Sequence, residues 1–106
     1  MTKPFRVRWS QRARKDLLAI GRYIAQDNPN VARAWVEKLR FCVHEAAAAP
    51  KGGRRVPELD RDDVREVFLR AYRIAYRIHA SSIEVITVFE GHRLFPADVN
   101  VGNEYE

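Results

Sequence analysis

The second half of the chain holds residues whose types fit chemistry on a phosphodiester. Four arginines stand there with three side chains that can carry a proton: Arg65, Arg73, Arg77 and Arg93 with Glu58, Glu66 and His92. Arginines that face a phosphodiester can hold it and stabilise the charge of a transition state. RNA cleavage without a metal also needs a general base and a general acid. Glu58 or Glu66 fits the base, and His92 fits the acid.

The same arginines allow an interpretation that needs no ligand. Arg73 and Arg77 can pair across a sheet with carboxylates as ordinary cross-strand ion pairs, and Glu66, Glu84 and Glu90 are the available partners. The sequence leaves both interpretations open.

Other catalytic and metal-binding patterns are missing from the sequence. The chain contains no GxSxG, P-loop or HExxH motif. The single cysteine, Cys42, can form neither an internal disulfide nor a metal cluster, and we expect a buried, inert thiol. His44 has no partner at metal-ligand spacing, and turn formation explains Asp62-Asp63 better than catalysis does. We therefore expect neither a metal nor a cofactor.

The charge of the chain favours an acidic partner. Its 106 residues carry a formal net charge of +5. Of the 19 basic residues only four are lysines, and arginine has a planar group that suits carboxylates and phosphates. Residues 1–53 have a balance of +7 and residues 54–106 a balance of −2. The partner can be RNA, DNA or protein, and a basic surface without a partner is the alternative.

These side chains must be positioned by a fold whose first half predicts a strand and two helices. Apolar residues alternate with arginines over Phe5–Trp9, the period-2 pattern of a half-buried strand. Ser10 is a good N-cap for a helix that runs to Asn28-Pro29. A second helix is predicted from about Val31 to Ala49, and the short turn between the two makes a helical hairpin.

The second half changes to strand periodicity. A basic loop over residues 50–57 precedes three predicted strands, Val64–Leu69, Tyr72–His79 and Ile83–Phe89. The tail, residues 96–106, is polar, and we expect it to be flexible or ordered by a partner. The order β-α-α-β-β-β predicts an α+β fold with the N-terminal helical hairpin on one face of a mainly antiparallel sheet. The opposite face then presents arginines from several strands.

The length suits one domain, residues 1–106, with a single core. Apolar residues at helix and strand spacing are predicted to supply much of that core: Leu17, Ile20, Ile24, Trp35, Val36, Leu39, Val43, Ile74, Tyr76, Val85 and Ile86. No apolar run approaches the roughly 20 residues of a membrane-spanning helix, and the first six residues lack the apolar stretch of a signal peptide. We therefore expect a cytoplasmic protein without a membrane partner.

Five sequence fragments, in this order and spacing, resemble the ParE branch of the RelE/ParE toxin superfamily. They are VRWSQRARKDLLAIGRYIAQDNPNVARAW, GRRVPEL, VREV, YRIAYRI and VFEGHRLFP, and they extend from about Val7 to Pro96. The resemblance implies a β-α-α-β-β-β toxin that is encoded with an antitoxin and neutralised by direct binding. RelE-like members of the superfamily cleave mRNA on the ribosome, whereas ParE members are associated with poisoning of DNA gyrase.

The resemblance also bears on the choice between these branches. RelE-like nucleases carry a strand arginine that matches Arg65 and a late arginine that matches Arg93. Basic residues precede that strand, where this chain has Lys51, Arg54 and Arg55.

One departure separates the chain from the RelE-like nucleases. They often end in a catalytic tyrosine several residues after the late arginine, but residues 94–99 contain none, and Tyr105 lies too far along the tail. Glu58 resembles a carboxylate that some relatives use, although its PEL motif is also common in ParE-like chains. The departure favours a protein that binds and inhibits.

The resemblance therefore predicts a toxin that inhibits DNA gyrase and forms a hetero-oligomer with a ParD-like antitoxin that has an acidic segment. The toxin alone is not expected to bind DNA sequence-specifically. Its functional basic face is predicted to comprise six arginines: Arg54, Arg55, Arg65, Arg73, Arg77 and Arg93. One alternative is a ribosome-dependent mRNA endonuclease that uses Glu58, Arg65, His92 and Arg93. Another is a non-toxic member that binds its antitoxin in autoregulation.

Overall fold

This computed structural model describes residues 3–104 of the chain, which contain two α-helices and five strands. In chain order they are β1 (Arg6–Trp9), α1 (Gln11–Ala25), α2 (Pro29–Ala48), β2 (Arg54–Arg55), β3 (Val64–Leu69), β4 (Tyr72–Ile78) and β5 (Ser82–Glu90). The predicted α+β fold with its N-terminal helical hairpin is confirmed. Within the predicted basic loop, the chain forms a 3-10 turn (Pro50–Gly52) and then the two-residue strand β2.

Polar caps begin both helices. The Ser10 hydroxyl accepts a hydrogen bond from the Ala13 amide at the start of α1, as its type predicts. Asn28 accepts from the amides of residues 30 and 31, so α2 begins at Pro29, two residues earlier than predicted. Proline is favoured at this first helical position because its missing N–H has no partner to lose there.

The five strands form one sheet in the order β1-β5-β4-β3-β2. Three of the four pairings are antiparallel, as predicted, and β1 pairs with β5 in parallel, with Val7 opposite Ile83. Because β1 is shorter than β5, α1 covers part of the remaining edge. There the Asp16 carboxylate accepts hydrogen bonds from the Val88 amide and the Thr87 hydroxyl.

Apolar residues pack on both faces of the sheet, so the prediction of a single core is wrong. The main cluster lies between helices and sheet and includes Leu17, Leu39 and Val43. The second cluster lies on the opposite face and contains Ile86, which was predicted for the main core. The other predicted core residues are buried or half-buried, and the Trp35 ring packs edge-on against Tyr72.

The C-terminal segment covers the second cluster instead of hanging loose. Val99 and Val101 pack against the buried residues of that cluster. The Arg12 side chain on α1 also binds Asp98 at 2.7 Å. The expected loosely held tail is therefore docked over residues 96–104, and Tyr105 lies outside the described residues. We call the sheet face under this segment the open face, because the two helices pack on the opposite face.

Candidate functional site

A buried arginine, Arg73, organises the charged residues of the open face. Its Nε donates to Glu66 Oε1 at 2.8 Å, and its two terminal nitrogens donate to the two Glu58 oxygens at 2.8 and 2.9 Å. Arg54 Nε donates to the second Glu66 oxygen at 2.6 Å. The Glu66 side chain is 0% exposed and that of Arg73 5% exposed. The Arg73 guanidinium, which the sequence analysis considered as a phosphate ligand, is therefore already hydrogen-bonded to two carboxylates.

Strand alternation explains why these groups meet. Side chains two residues apart on a strand share a face, and β3 places Val64 and Glu66 on the open face. The register pairs Val64 with Arg77 and Glu66 with Ala75, so Arg73 and Arg77 of β4 share that face. Of the two interpretations of the arginines, the structure supports ion pairing, with Glu66 as one predicted partner.

The electrostatics fix both members of the Arg73–Glu58 pair in their charged forms. Hydrogen bonds from Arg73, followed by one from the Phe95 amide, lower the pKa of Glu58 to about 2 against the opposing effect of burial. The hydrogen bonds to Glu58 in turn raise the pKa of Arg73. A carboxylate with so low a pKa binds a proton poorly near neutral pH, which makes Glu58 a weak general base.

Arg77 is a second buried arginine, and it holds the C-terminal segment. Its Nε lies 3.2 Å from Asp63 Oδ2, and its terminal nitrogens donate to the carbonyl oxygens of Val101 and Asn103. Arg61 binds the same Asp63 carboxylate, and these charges together keep the pKa of Asp63 low despite its burial. The partner of Arg77 is therefore Asp63, in the loop before β3, and not the predicted Glu84 or Glu90.

Arg65 lies on the other face of the sheet, which faces the helices. It stands two residues before Val67, which packs against the main core, and opposite Tyr76, which is part of that core. Its side chain donates to the Asp62 carboxylate and to the Gly53 carbonyl oxygen. A phosphate bound to Arg73 on the open face is therefore out of reach of Arg65.

His92 and Arg93 lie in the exposed turn after β5. His92 Nδ1 is 3.5 Å from one oxygen of Glu90, and Arg93 Nη2 is 3.9 Å from the other. The Arg93 carbonyl oxygen accepts a hydrogen bond from Arg73 at 3.2 Å. The four residues predicted for a nuclease are therefore separated. Glu58 and Arg65 lie on opposite faces of the sheet, and His92 and Arg93 lie in one surface turn.

The six predicted arginines do not form one basic face. Arg54, Arg73 and Arg77 belong to the open face, whereas Arg55 pairs in register with Arg65 on the other side. The predicted grouping overlooked that neighbouring residues of a strand point to opposite faces. The open-face arginines are also paired with carboxylates, so little free positive charge remains there.

Two of the surface grooves beside α1 are lined by exposed apolar side chains, and the sequence analysis identified neither. The first, about 670 Å³, runs between α1 and α2 and is lined by Trp9, Leu17, Leu18, Val36 and others. The second, about 470 Å³, lies between α1 and the end of β5. The exposed apolar positions Leu18 and Tyr23 on α1, which fall outside the stripe of core residues, were the signal that could have located them.

The described residues offer no metal site and no membrane span. No three His, Cys, Asp or Glu side chains within residues 3–104 are placed to hold a metal ion. Neither helix in that range is long and apolar enough to cross a bilayer.

Comparison with known proteins identifies a sequence family and one named relative. A sequence family described as "ParE toxin of type II toxin-antitoxin system, parDE" matches residues 7–95. The protein Y4kP of Sinorhizobium fredii, which is named as a toxin candidate, is 35% identical over 95 residues, or 86% of this chain and 93% of Y4kP.

Two solved structures share the fold. A chain of the chromosomal ParDE toxin–antitoxin system of P. aeruginosa matches with a TM-score of 0.67 at 20% identity, over 81% of this chain and 95% of that one. A chain of the RelBE2 toxin–antitoxin complex of Mycobacterium tuberculosis matches with a TM-score of 0.57 at 23% identity, over 85% and 94%.

Proposed function

Because the chain belongs to the ParE toxin family of type II toxin–antitoxin systems, we propose that it inhibits DNA gyrase in the cytoplasm and is neutralised by a ParD-like antitoxin. The observation that carries this proposal against RNA cleavage is the pairing of Arg73 with Glu58 and Glu66. A site built to hold a scissile phosphate keeps its arginine available, and here two carboxylates compete for it.

The proton chemistry of RNA cleavage also lacks support. Deprotonation of a 2′-hydroxyl needs a base, and the low pKa of Glu58 makes it a poor one. Arginines such as Arg65 and Arg93 are poor proton carriers, because a guanidinium group stays protonated in proteins. His92 is exposed beside Glu90, away from Arg65 on the helix-facing side of the sheet. Binding to a large protein needs no such alignment of base, acid and phosphate.

The groove between α1 and α2 fits an antitoxin segment. Leu18 is 54% exposed there, and three arginines stand around the apolar floor: Arg14, Arg22 and Arg40. An amphipathic helix lays its apolar face into a groove of this kind, and carboxylates along its sides would complement the arginines. The proposed partner is therefore an acidic antitoxin that forms a hetero-oligomer with the toxin. In this proposal, the toxin alone has no sequence-specific DNA binding.

The experiment that tests the proposed function is a supercoiling assay with purified toxin, gyrase and relaxed plasmid. We expect the toxin to inhibit supercoiling or to trap cleaved DNA, and we expect the product of the adjacent reading frame to restore supercoiling. Arg22→Glu should keep the inhibition but lose much of the rescue, because it reverses one charge beside the groove. Lys15→Glu is the matched control, because Lys15 lies on α1 outside that groove.

Unimpaired gyrase in the presence of a toxin that still arrests growth would contradict the proposed target. Failure of the neighbouring gene product to bind the toxin would contradict the proposed partner.

A further inference from the structure

We propose that the turn His92–Leu94, together with Tyr23 of α1, is the surface through which this toxin contacts its target protein. This inference rests on the proposed function, because it names the contact surface of that activity. Leu94 and Tyr23 are 81% and 71% exposed, the two highest values among the exposed large apolar residues. Both line the groove between α1 and the end of β5. We call these four residues the turn surface.

The backbone beneath the turn surface is held by buried groups. Arg73 donates to the Arg93 carbonyl oxygen at 3.2 Å, and the Glu58 carboxylate accepts from the Phe95 amide at 2.8 Å. The Phe95 ring packs edge-on against Phe89, and the Arg73 guanidinium lies 4.7 Å from the centre of the same Phe89 ring. The turn is thus fixed on both sides of Leu94 while the Leu94 side chain extends into solvent.

This combination is typical of a preorganised contact element. Buried ion pairs are weak evidence for stability, because desolvation offsets much of their attraction. Here the Arg73–Glu58 pair holds the main chain of an exposed turn in one conformation. A contact element that is already ordered loses less conformational entropy on binding, so its apolar side chains contribute more to affinity. The positioning residues are therefore Arg73 and Glu58, and the contacting residues are those of the turn surface.

The charges of the groove favour a protein over a nucleic acid as the occupant. Two arginines, Arg12 and Arg93, line it together with two carboxylates, Asp16 and Glu90. Arg12 binds Asp16 at 3.0 Å and also Asp98. A nucleic-acid site carries an excess of positive charge, because phosphate neutralisation supplies most of its affinity. A balanced rim around apolar side chains fits a protein surface with an apolar pocket for Leu94.

The test compares variants of the turn surface for growth arrest, which does not depend on the identity of the target, and for gyrase inhibition. We expect Leu94→Asp and Arg93→Ala to lose growth arrest and to inhibit supercoiling at least tenfold more weakly, with unchanged circular dichroism and antitoxin binding. Phe41→Asp is the control, because Phe41 is an exposed apolar residue (63%) on α2 that lines a different groove from the two beside α1, and this variant should remain toxic.

The positioning role has its own readout. Glu58→Gln should speed hydrogen exchange at the Phe95 amide, because it weakens the hydrogen bonds that Glu58 makes with that amide and with Arg73. It should also weaken inhibition, even though Glu58 lies beneath the turn and is not itself a contacting residue. Slower exchange or unchanged inhibition would contradict this role.

Three outcomes overturn the inference. A folded Leu94→Asp variant that arrests growth like the unmodified toxin would show that the turn surface is not the contact. Loss of RNA cleavage in the turn variants, with protein binding intact, would make the turn a nucleic-acid site. A chain that never arrests growth has no target surface. By contrast, growth arrest that needs Leu94 while gyrase stays active would retain the turn surface and refute only the proposed target.

Discussion

Arg73 and Glu58 form a two-point ion pair, with nitrogen–oxygen distances of 2.8 and 2.9 Å, although they are 15 residues apart in the chain. The same guanidinium binds Glu66 of β3, whose side chain is fully buried. One arginine of β4 thereby fixes the loop before β3, the strand β3 itself and, through the Arg93 carbonyl oxygen, the turn after β5. The charged residues that suggested phosphate chemistry serve to assemble the open face.

Removal of Arg73 should destabilise the fold strongly. Arg73→Met leaves the Glu66 charge buried with only Arg54 as a partner, and we expect the free energy of unfolding to fall by about 3–5 kcal/mol. The double variant Arg73→Met/Glu66→Met should recover part of that loss, because no charge then stays fully buried, while the partly exposed Glu58 and Arg54 each lose a partner. Urea denaturation measures both. A single variant within about 1 kcal/mol of the unmodified protein would show that Glu66 is not held as a buried charge.

Acid should remove the contribution of Glu58 to stability. The pKa of Glu58 falls from its ordinary value of 4.5 to about 2 on folding, so the folded state favours the ionised carboxylate. This contribution is complete above the unfolded pKa and is lost as the pH falls through the folded one, that is, from about 4.5 towards 2.

The measurement is the free energy of unfolding of the unmodified protein and of Glu58→Gln between pH 7 and pH 2. The difference between the two should shrink across the window from 4.5 to 2. The pKa values of Asp62 and Asp63 are also lowered, so the free energy of unfolding of both proteins should still fall as the pH falls. Curves that stay parallel over this window would contradict the pKa assigned to Glu58.

The helical hairpin should depend on Leu39. This side chain is fully buried between α2 and the sheet, and Leu39→Ala should cost about 2–5 kcal/mol of unfolding free energy. A small domain has roughly 5–15 kcal/mol in total, so the melting temperature should fall markedly. Leu18→Ala is the control, because Leu18 is largely exposed, and a change of about 0.5 kcal/mol or less is expected there. Near-normal melting of Leu39→Ala would contradict the packing of α2.

The C-terminal segment should detach when Gly102 acquires a side chain. Gly102 has a φ of +69°, and a Cβ atom there would collide with the Arg77 guanidinium that binds the carbonyl oxygens on either side. Gly102→Ala should therefore speed amide exchange over residues 99–103. In the control Gly52→Ala, the new Cβ meets Ala49 at an ordinary 3.5 Å, and exchange in this segment should not change. Equal protection in both variants would show that Arg77 does not hold the segment.

Local patterns were sufficient to predict most of the secondary structure. The alternation of Val64–Leu69 predicted the observed bounds of β3, and the Ser10 cap predicted the start of α1. The predicted start of α2 at about Val31 lies two residues after the observed one. The pairing of Arg73 with Glu66 also followed from the strands, because both residues lie on one face of adjacent strands.

Contacts between distant segments were beyond such patterns. The partner of Arg77 is Asp63, which a loop brings to the sheet, so strand register alone could not identify it. The docking of Val99 and Val101 depends on carbonyl acceptors of the main chain, which are present in every sequence. Strand alternation could have predicted that Arg65 and Arg73 lie on opposite faces of the sheet. The six arginines were grouped on one basic face because that alternation was overlooked.

The proposed function requires that the toxin acts on gyrase and leaves mRNA intact. The most direct measurement follows both in one culture: after induction without antitoxin, covalent gyrase–DNA complexes are quantified and mRNA ends are mapped from the same cells. We predict that gyrase-linked DNA breaks accumulate while mRNA ends match those of uninduced cells. Codon-phased mRNA cuts that disappear in His92→Ala or Glu58→Ala, without gyrase-linked breaks, would contradict gyrase inhibition and identify a ribosome-dependent nuclease.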